Sequence, residues 1–295
     1  MKQYLQSMKI KIGCHVSIAG GIFNAPKNAA ELGCETFQIF TRSPQGGPVP
    51  ALTDEAVGLF KAGMQQYGFT DFVIHAPYII NFGSGKPQTF HGSISIIRAE
   101  LERGSLLGAK YVMFHPGSFK DLGPEEGMKQ VKAGLQEVLG GYKGTTELLI
   151  EISAGAGQVV GDTFEELAEL VAVLKKYHGF GGICYDTQHA FASGYDIRTQ
   201  LAVTDTFKKF EEVIGLEYFR MSHVNDSKVE FASHKDRHEH LGDGHIGVKG
   251  FGEFIQHLSQ FKTKEENQFM PLILETEHDK VQTDIEILKK LRNKS

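Results

Sequence analysis

Cysteine is scarce in this chain: Cys14, Cys34 and Cys184 are the only three in 295 residues, and no two are spaced C-x-x-C. An odd, scattered set excludes a disulfide framework and fits a reducing compartment. Cys14 and Cys184 lie inside apolar strand-like runs and read as packing residues. Long apolar runs are missing as well. No stretch approaches the roughly 18 apolar residues of a membrane span, and the start of the chain alternates apolar residues with Lys, Gln and Ser, so no secretory leader is expected. An excess of positive charge is also absent. With 31 Lys+Arg against 36 Asp+Glu the net charge is −5, which excludes a global basic field drawing the chain to a polyanion. Any such partner needs a local site, and two or three divalent cations in one pocket would reverse the local sign. The expectation is a cytoplasmic protein away from any membrane.

What is present is ordinary globular composition, 41% hydrophobic and 23% charged, enough for a sizeable core. A length of 295 residues suits two average domains or one (β/α)₈ barrel of about 250 residues. Short β-branched or aromatic runs recur eight times, at 10–17, 36–40, 72–76, 111–116, 148–153, 182–187, 218–225 and 271–277. Amphipathic stretches separate them, among them 53–67, 93–107, 124–139, 163–177 and 251–258, and a last one at 283–291 closes the chain. Several open with Thr, Ser or Pro followed by Glu, as a helix start prefers. Eight βα alternations without a linker or composition break predict an α/β fold, a single (β/α)₈ TIM barrel over 10–295 after an N-terminal extension, 1–9. A doubly wound sheet is the runner-up.

The strand ends carry the strongest signal. In order they finish on His15, His75, His115, Glu151, Asp186, His223 and Glu275, for strands one, three, four, five, six, seven and eight. In a barrel these ends converge on the rim where catalytic groups gather. Each follows an apolar run such as FVIHA or LLIE, where a polar group needs a partner to offset its desolvation. Singly, each reads as a satisfied loop-edge residue; seven together read as a site. Imidazoles and carboxylates without thiols suit zinc, manganese or iron, in a number beyond what one tetrahedral ion uses. His189 follows Asp186 by three residues, so one helical turn can hold both on one side. Asp236 and His238 have the i, i+2 spacing that aligns two side chains on an extended segment. That stretch also carries His234, His240 and His245. Spacing does not rank His240 below His238, and a solvated polar loop is the plain alternative.

Eight ordered motifs then run from about Ile12 to Glu275: GCHVSIAGG at 13–21, HAPYIINFGS at 75–84, FHPGS at 114–118, EISAG at 151–155, YDTQHAFASGYD at 185–196, SHVNDSK at 222–228, DRHEHLGDGHIG at 236–247 and LILET at 272–276. Together they resemble the endonuclease IV group of metal-dependent apurinic/apyrimidinic endonucleases. The resemblance implies a barrel with three metal ions, normally Zn²⁺, with Mn²⁺ or Fe²⁺ as substitutes, at its C-terminal rim. It implies that His75, His115 and Glu151 hold one ion, that Glu151 is the catalytic carboxylate bridging to a second ion held by Asp186, His223 and Glu275, and that His189, Asp236 and His238 hold the third. His240 is not a ligand in that pattern, and His15 at most stands behind the ligands. The implied reaction is hydrolysis of the phosphodiester 5′ to an abasic site, leaving a 3′-hydroxyl and a 5′-deoxyribose phosphate, with cleaning of blocked 3′ ends by the same site. The implied partner is double-stranded DNA bearing such lesions, met by a monomer.

The chain departs from the pattern where DNA is held. Family members commonly place Arg and Trp where Gln45 and Gly47 stand, and this chain has no Trp at all. Tyr78 and Ile79 keep an aromatic–aliphatic pair able to enter a base stack, as minor-groove proteins do; packing under the loop is the plain alternative. Ile152 replaces a usual Asn and Gln188 a usual Cys. Arg42, Lys86, Lys228 and Arg237 are the loop cations expected on phosphates, beside Gln45. Two other classes remain: a sugar isomerase or epimerase of the xylose-isomerase-like barrel type, which needs one or two ions and has no use for His189, Asp236 and His238, and a non-catalytic damage-binding protein.

Overall fold

The computed structural model describes residues 6–263 and 269–294. Eight parallel strands lie where the β-branched runs predict them: β1 Lys9–Cys14, β2 Gln38–Ile39, β3 Val73–His75, β4 Tyr111–Phe114, β5 Glu147–Glu151, β6 Phe180–Asp186, β7 Phe219–His223 and β8 Phe269–Leu274. β8 pairs with β7 on one side and with β1 on the other, β2 to β7 pair in sequence order, and a parallel bridge from His15 to Gln38 joins β1 to β2 and closes the ring. This is the expected TIM barrel. β1 starts at Lys9, one residue inside the predicted extension, and the preceding Gln6–Ser7 pairs antiparallel with Lys262–Thr263.

Alternation along the strands decides what faces inward. Val73, Tyr111, Met113, Leu149, Cys184, Met221 and Ile273 form one small buried cluster, the filling of the barrel. Their strand neighbours Ile74, Val112, Phe114, Leu148, Ile150, Ile183, Tyr185, Leu272 and Leu274 belong to the large core beneath the helices. Side chains repeat every two residues, so two positions beyond the inner layer stand His75, His115, Glu151, Asp186, His223 and Glu275. The apolar filling is the floor on which the polar rim sits.

The helices are α1 Ala25–Glu31, α2 Asp54–Gln66, α3 Pro87–Leu107, α4 Pro124–Leu139, α5 Phe164–Leu174, α6 Thr187–Ala192, α7 Gln200–Val213, α8 Gly247–Leu258 and α9 Val281–Arg292. Thr53 and Thr163 cap α2 and α5 through their side chains, as their spacing to Glu suggests. α3 begins six residues before the predicted Ser93, with Pro87 at its first position, where a missing N–H costs nothing. Its first two turns, PQTFHGS, carry Phe90 as their one large apolar side chain, too little for a hydrophobic period to reveal them. α9 closes the chain, and Arg292 reaches back to Ile10 O and to Glu35 at the foot of the barrel. No described helix is long and apolar enough to cross a membrane.

Candidate metal centre

The rim residues converge on Glu151, whose side chain is fully buried at the end of β5. Its two oxygens face different partners. Oε1 lies 2.8 Å from His223 Nδ1 and 3.4 Å from His189 Nδ1; Oε2 lies 3.3 Å from His115 Nε2 and 3.9 Å from His75 Nε2. Burial alone would raise this carboxyl, but His115, His223 and His189 outweigh it and hold Glu151 well below the usual carboxylate range. Oε2 nevertheless has no hydrogen-bond partner. A buried charged oxygen without one costs several kcal/mol, about 1–3 or more, which a cation between it and the two imidazoles would offset.

The imidazoles are set for that arrangement. His75 Nδ1 donates to Ala76 O at 2.6 Å, so the lone pair is on Nε2, toward Glu151. Burial keeps both His75 and His115 below the ordinary histidine value, hence neutral and able to ligate. For His223 the decisive neighbour is Gln38 of β2. The Gln38 amide nitrogen must face the Glu275 carboxylate, to which it donates at 2.6 Å, so its oxygen faces His223 Nε2 at 2.7 Å and accepts that proton. His223 Nδ1 then points at Glu151, Asp186 and Glu275, at 2.8, 3.8 and 3.3 Å. Burial opposes charge on His223, but the Cys184 thiol, Glu151 and Glu275 outweigh it and hold the ring well above the usual imidazole value. Asn225 aligns two more donors with one amide: its nitrogen gives to Asp186 Oδ2 at 2.8 Å and its oxygen accepts Glu275 N at 2.8 Å.

The third cluster is built on α6 and the long loop after β7. Asp186 caps α6 by accepting His189 N at 2.8 Å, which puts both side chains at the same helix start, as their spacing predicts. His189 Nδ1 donates to Ile152 O at 3.1 Å; because the backbone oxygen does this, Ile there in place of Asn leaves the contact intact. His189 Nε2 then faces Asp236 Oδ1 at 3.4 Å and His238 Nε2 at 3.3 Å. Two imidazole nitrogens that close need a shared proton or a shared cation between them. Burial opposes a charge on His189, but Asp186, Asp236 and Glu151 hold its value well above the ordinary one. Asp236 remains exposed at 56%, at the mouth of the site.

A short antiparallel pair, Asp226–Ser227 with His238–Glu239, brings His238 in. Below it the fully buried Asp226 carboxylate accepts four backbone N–H groups: Ser227 and Ile246 on Oδ1, Gly242 and Gly247 on Oδ2. Gly244 has to be glycine, since a Cβ there would stand 2.5 Å from Asp226 Oδ1. The structure also separates His238 from His240. His240 Nδ1 binds Asp284 on α9 at 2.7 Å and Nε2 lies 3.1 Å from Asp279, so it clasps the loop to α9 and is not at the site. His234 lies against Gly155, and His245 is exposed. His15 stands behind Gln38, which donates to its Nδ1 at 3.1 Å, and burial pushes it down to about 3.

Four donor groups result, each with ligand atoms within 4.8 Å of one another: His75, His115 and Glu151; Glu151, Asp186, His223 and Glu275; Glu151, Cys184 and His223, whose Cys184 belongs to the apolar filling below the rim; and Asp186, His189 and His238. Asp236 joins the last through the two histidines. A cavity of about 380 Å³ opens beside it, walled by His115, His189 and Asp236 and by the small residues Gly117, Ser118, Ser153 and Ala154, with Tyr78 and Ile79 at its edge. Those two are 62% and 43% exposed. Tyr78 N donates to Pro44 O, so the pair rests on the loop that carries the exposed Gln45. Lys86, Lys228 and Arg237 are exposed, and Lys228 N donates to Arg237 O beside the third cluster. Arg42 departs from expectation: it is only 8% exposed and gives Nε to Glu100 on α3 at 2.6 Å. Its guanidinium serves a buried ion pair, not the open rim. Gln38, Asn225 and Asp226 also touch ligands or their loop, though the strand-end pattern does not single them out; for Gln38 the signal in the sequence is a polar residue inside an apolar strand end.

The xylose isomerase-like TIM barrel family matches residues 26–291. A probable endonuclease 4 of Halothermothrix orenii is 34% identical over 287 residues, covering 96% of this chain and 99% of that protein. One of Shouchella clausii is 39% identical over 272 residues, 91% of this chain and 89% of that protein. The crystal structure of endonuclease IV from Thermus thermophilus superposes with a TM-score of 0.83 at 30% identity, covering 97% of this chain and all of that one. A D-tagatose 3-epimerase-like protein, at 18% identity and a TM-score of 0.69, shares the barrel. On the family match and on relatives spanning nearly the whole chain, this protein belongs to the endonuclease IV family of xylose isomerase-like TIM barrels.

Proposed function

We propose that this protein is a DNA-repair endonuclease that hydrolyses the phosphodiester 5′ to an abasic site, leaving a 3′-hydroxyl and a 5′-deoxyribose phosphate, and that trims blocked 3′ ends at the same centre. The observation that carries the reading is the buried Glu151 carboxylate, with one oxygen toward His75 and His115, the other toward His223 and His189, and Oε2 unpaired. Such a bridge between two donor groups is what multi-ion hydrolysis needs. Three zinc ions fit the donors: one on His75, His115 and Glu151, one on Glu151, Asp186, His223 and Glu275, and one on His189, Asp236 and His238. Bound there, divalent cations supply a nucleophile at neutral pH, charge cover for the phosphoryl oxygens and stabilisation of the leaving alkoxide.

The protein's own residues do the rest. Gln38 and Ala76 O fix the tautomers of His223 and His75, so each presents a lone pair to the centre. Asn225 holds Asp186 and Glu275 in register. Asp236, exposed at the mouth, would hold the third ion together with His189 and His238 on the open side of the cluster. Tyr78 and Ile79 stand beside the cavity, where they can fill the gap left by an extruded abasic nucleotide. Extrusion of a nucleotide without a base costs less than that of an intact one, which is itself a source of selectivity. A sugar epimerase would use one or two of the donor groups and leave His189, Asp236 and His238 without a role. Incubation of zinc-loaded protein with a duplex containing one abasic site, with metal counted by elemental analysis, tests the reading. Incision with a 3′-hydroxyl product and three zinc ions per chain are expected. At most one ion per chain, or turnover of free ketoses without incision, would refute it.

A further inference from the structure

The third cluster depends on a residue that is not itself a ligand. Asp236 lies on an exposed stretch, and among the described residues its carboxylate pairs with the imidazoles of His189 and His238. Those two contacts do not fix where it stands, so its backbone has to be held. Gln188 does this. It is fully buried on α6, next to His189. Its amide nitrogen donates to Lys235 O at 3.0 Å and to Ser227 Oγ at 3.3 Å, and its amide oxygen accepts Arg237 N at 3.3 Å. One side-chain amide thus pairs with the carbonyl before Asp236 and the N–H after it, as a neighbouring β-strand would.

The segment leading into Asp236 is laid along the same helix. Ala232 N donates to Phe191 O and His234 N to Ala192 O. Ala232 and His234 both take the left-handed conformation, φ 55° and 54°, which side-chain-bearing residues adopt only when surroundings impose it. The run 232–237 is therefore held in place by α6, and Gln188 is the last tie before the ligands. Its contact with Ser227 adds the strand partner of His238, so all three ligands of the cluster, His189, Asp236 and His238, are referred to one helical turn.

We propose that Gln188 is the positioning residue of the third cation cluster, gripping the backbone on both sides of Asp236 so that Asp236 and His238 meet His189 in a geometry ready for a divalent ion. This rests on the three-ion reading above. Preorganised donors bind a metal more tightly because less ordering remains to be done on binding, and loss of such supporting hydrogen bonds typically lowers metal affinity by about 10–100-fold.

The test compares the full-length zinc-loaded protein with Gln188→Met, which keeps the volume without the three hydrogen bonds, and Gln188→Glu, which keeps the shape but turns the donor end into an acceptor facing Lys235 O. Asp236→Asn serves as the reference for loss of this ion alone. Zinc release is titrated with a chromophoric chelator, and melting of the metal-free proteins is measured in parallel. Expected is release of one zinc of three at a chelator concentration at least about tenfold lower in both Gln188 variants, matching Asp236→Asn, with the other two ions held as in the parent and metal-free melting close to the parent. Three ions held at parent affinity in either folded variant overturns the inference and leaves the three-ion reading standing. Uniform weakening of all three ions, tracking a lower metal-free melting temperature, also overturns it, since Gln188 would then be a structural residue only. A parent protein that never binds more than two ions removes the reading beneath it and the inference with it.

Discussion

Asp226 is the best place to test whether the loop after β7 is an assembled part of the centre. Asp226→Asn keeps the volume and one acceptor oxygen. The new NH₂ group has to face either the N–H groups of Ser227 and Ile246 or those of Gly242 and Gly247, two donors in each case. A buried N–H left without an acceptor costs about 1–3 kcal/mol, so the substitution should weaken the loop by about 2–6 kcal/mol, toward the lower end if water enters. At 1.36 kcal/mol per decade, that is a rise in local opening of about thirtyfold or more. Hydrogen exchange of the peptide spanning Gly242–Gly247 measures it directly. Faster exchange there, with β4 to β6 protected as before, is expected, together with loss of one zinc because His238 is carried by the strand paired to Asp226–Ser227. Parental exchange across the loop would refute the reasoning, since the carboxylate would then not be what holds it.

Glu151→Gln should lower abasic-site incision by at least about a hundredfold, roughly 2.7 kcal/mol of barrier, in a protein that still folds; near-parental turnover with full metal content would remove Glu151 from its bridging role. Zinc binding should tighten as pH rises, because His189 and His223 are held protonated above the usual imidazole value in the metal-free protein and each proton has to leave; a titration calorimetry series with no pH slope would contradict this. At the foot of the barrel, burial opposes the charge on Glu35, but Arg292 and Ile12 N hold its carboxyl low, so its contribution is complete above about pH 4.3 and is lost as pH falls through the lower folded value. Glu35→Gln should therefore melt slightly lower than the parent at neutral pH, by about 1 kcal/mol at most after solvent screening, and match it in acid. Tyr78→Ala with Ile79→Ala should weaken binding to an abasic duplex with zinc content unchanged and cost less at a 3′ end; equal losses on both substrates would make the pair mere packing.

The site was legible to the extent that period-two alternation wrote it. Val73 predicts the direction of His75, Met113 that of His115, and Leu149 that of Glu151, because each pair shares one face of one strand. The loop ligands were not legible in this way. His238 and His240 share the same parity, and what separates them is Asp284, 44 positions away on α9, which takes His240 out of the site. Arg42 failed for the same reason: a cation in a rim loop is a reasonable phosphate contact until Glu100, 58 positions on, lies beneath it. Local pattern reports which face a side chain takes; it does not report which distant charge will meet it there.

The departures in the loop after β2 then fall into one physical scheme. Gly46 and Gly47 both have positive φ, 90° and 101°, a backbone path that L side chains rarely take. At Gly46 an added Cβ would come 3.1 Å from Ile79 Cδ1, so the loop passes closely under the Tyr78–Ile79 pair, which it also anchors through Pro44 O. A Trp at position 47 would meet open space but a strained backbone. In this chain, which has no Trp, the glycines of the loop form a seat for Tyr78 and Ile79. On the proposed reading, the work that family members share between an Arg–Trp loop and this pair is concentrated here on Tyr78 and Ile79, with the loop acting as their support.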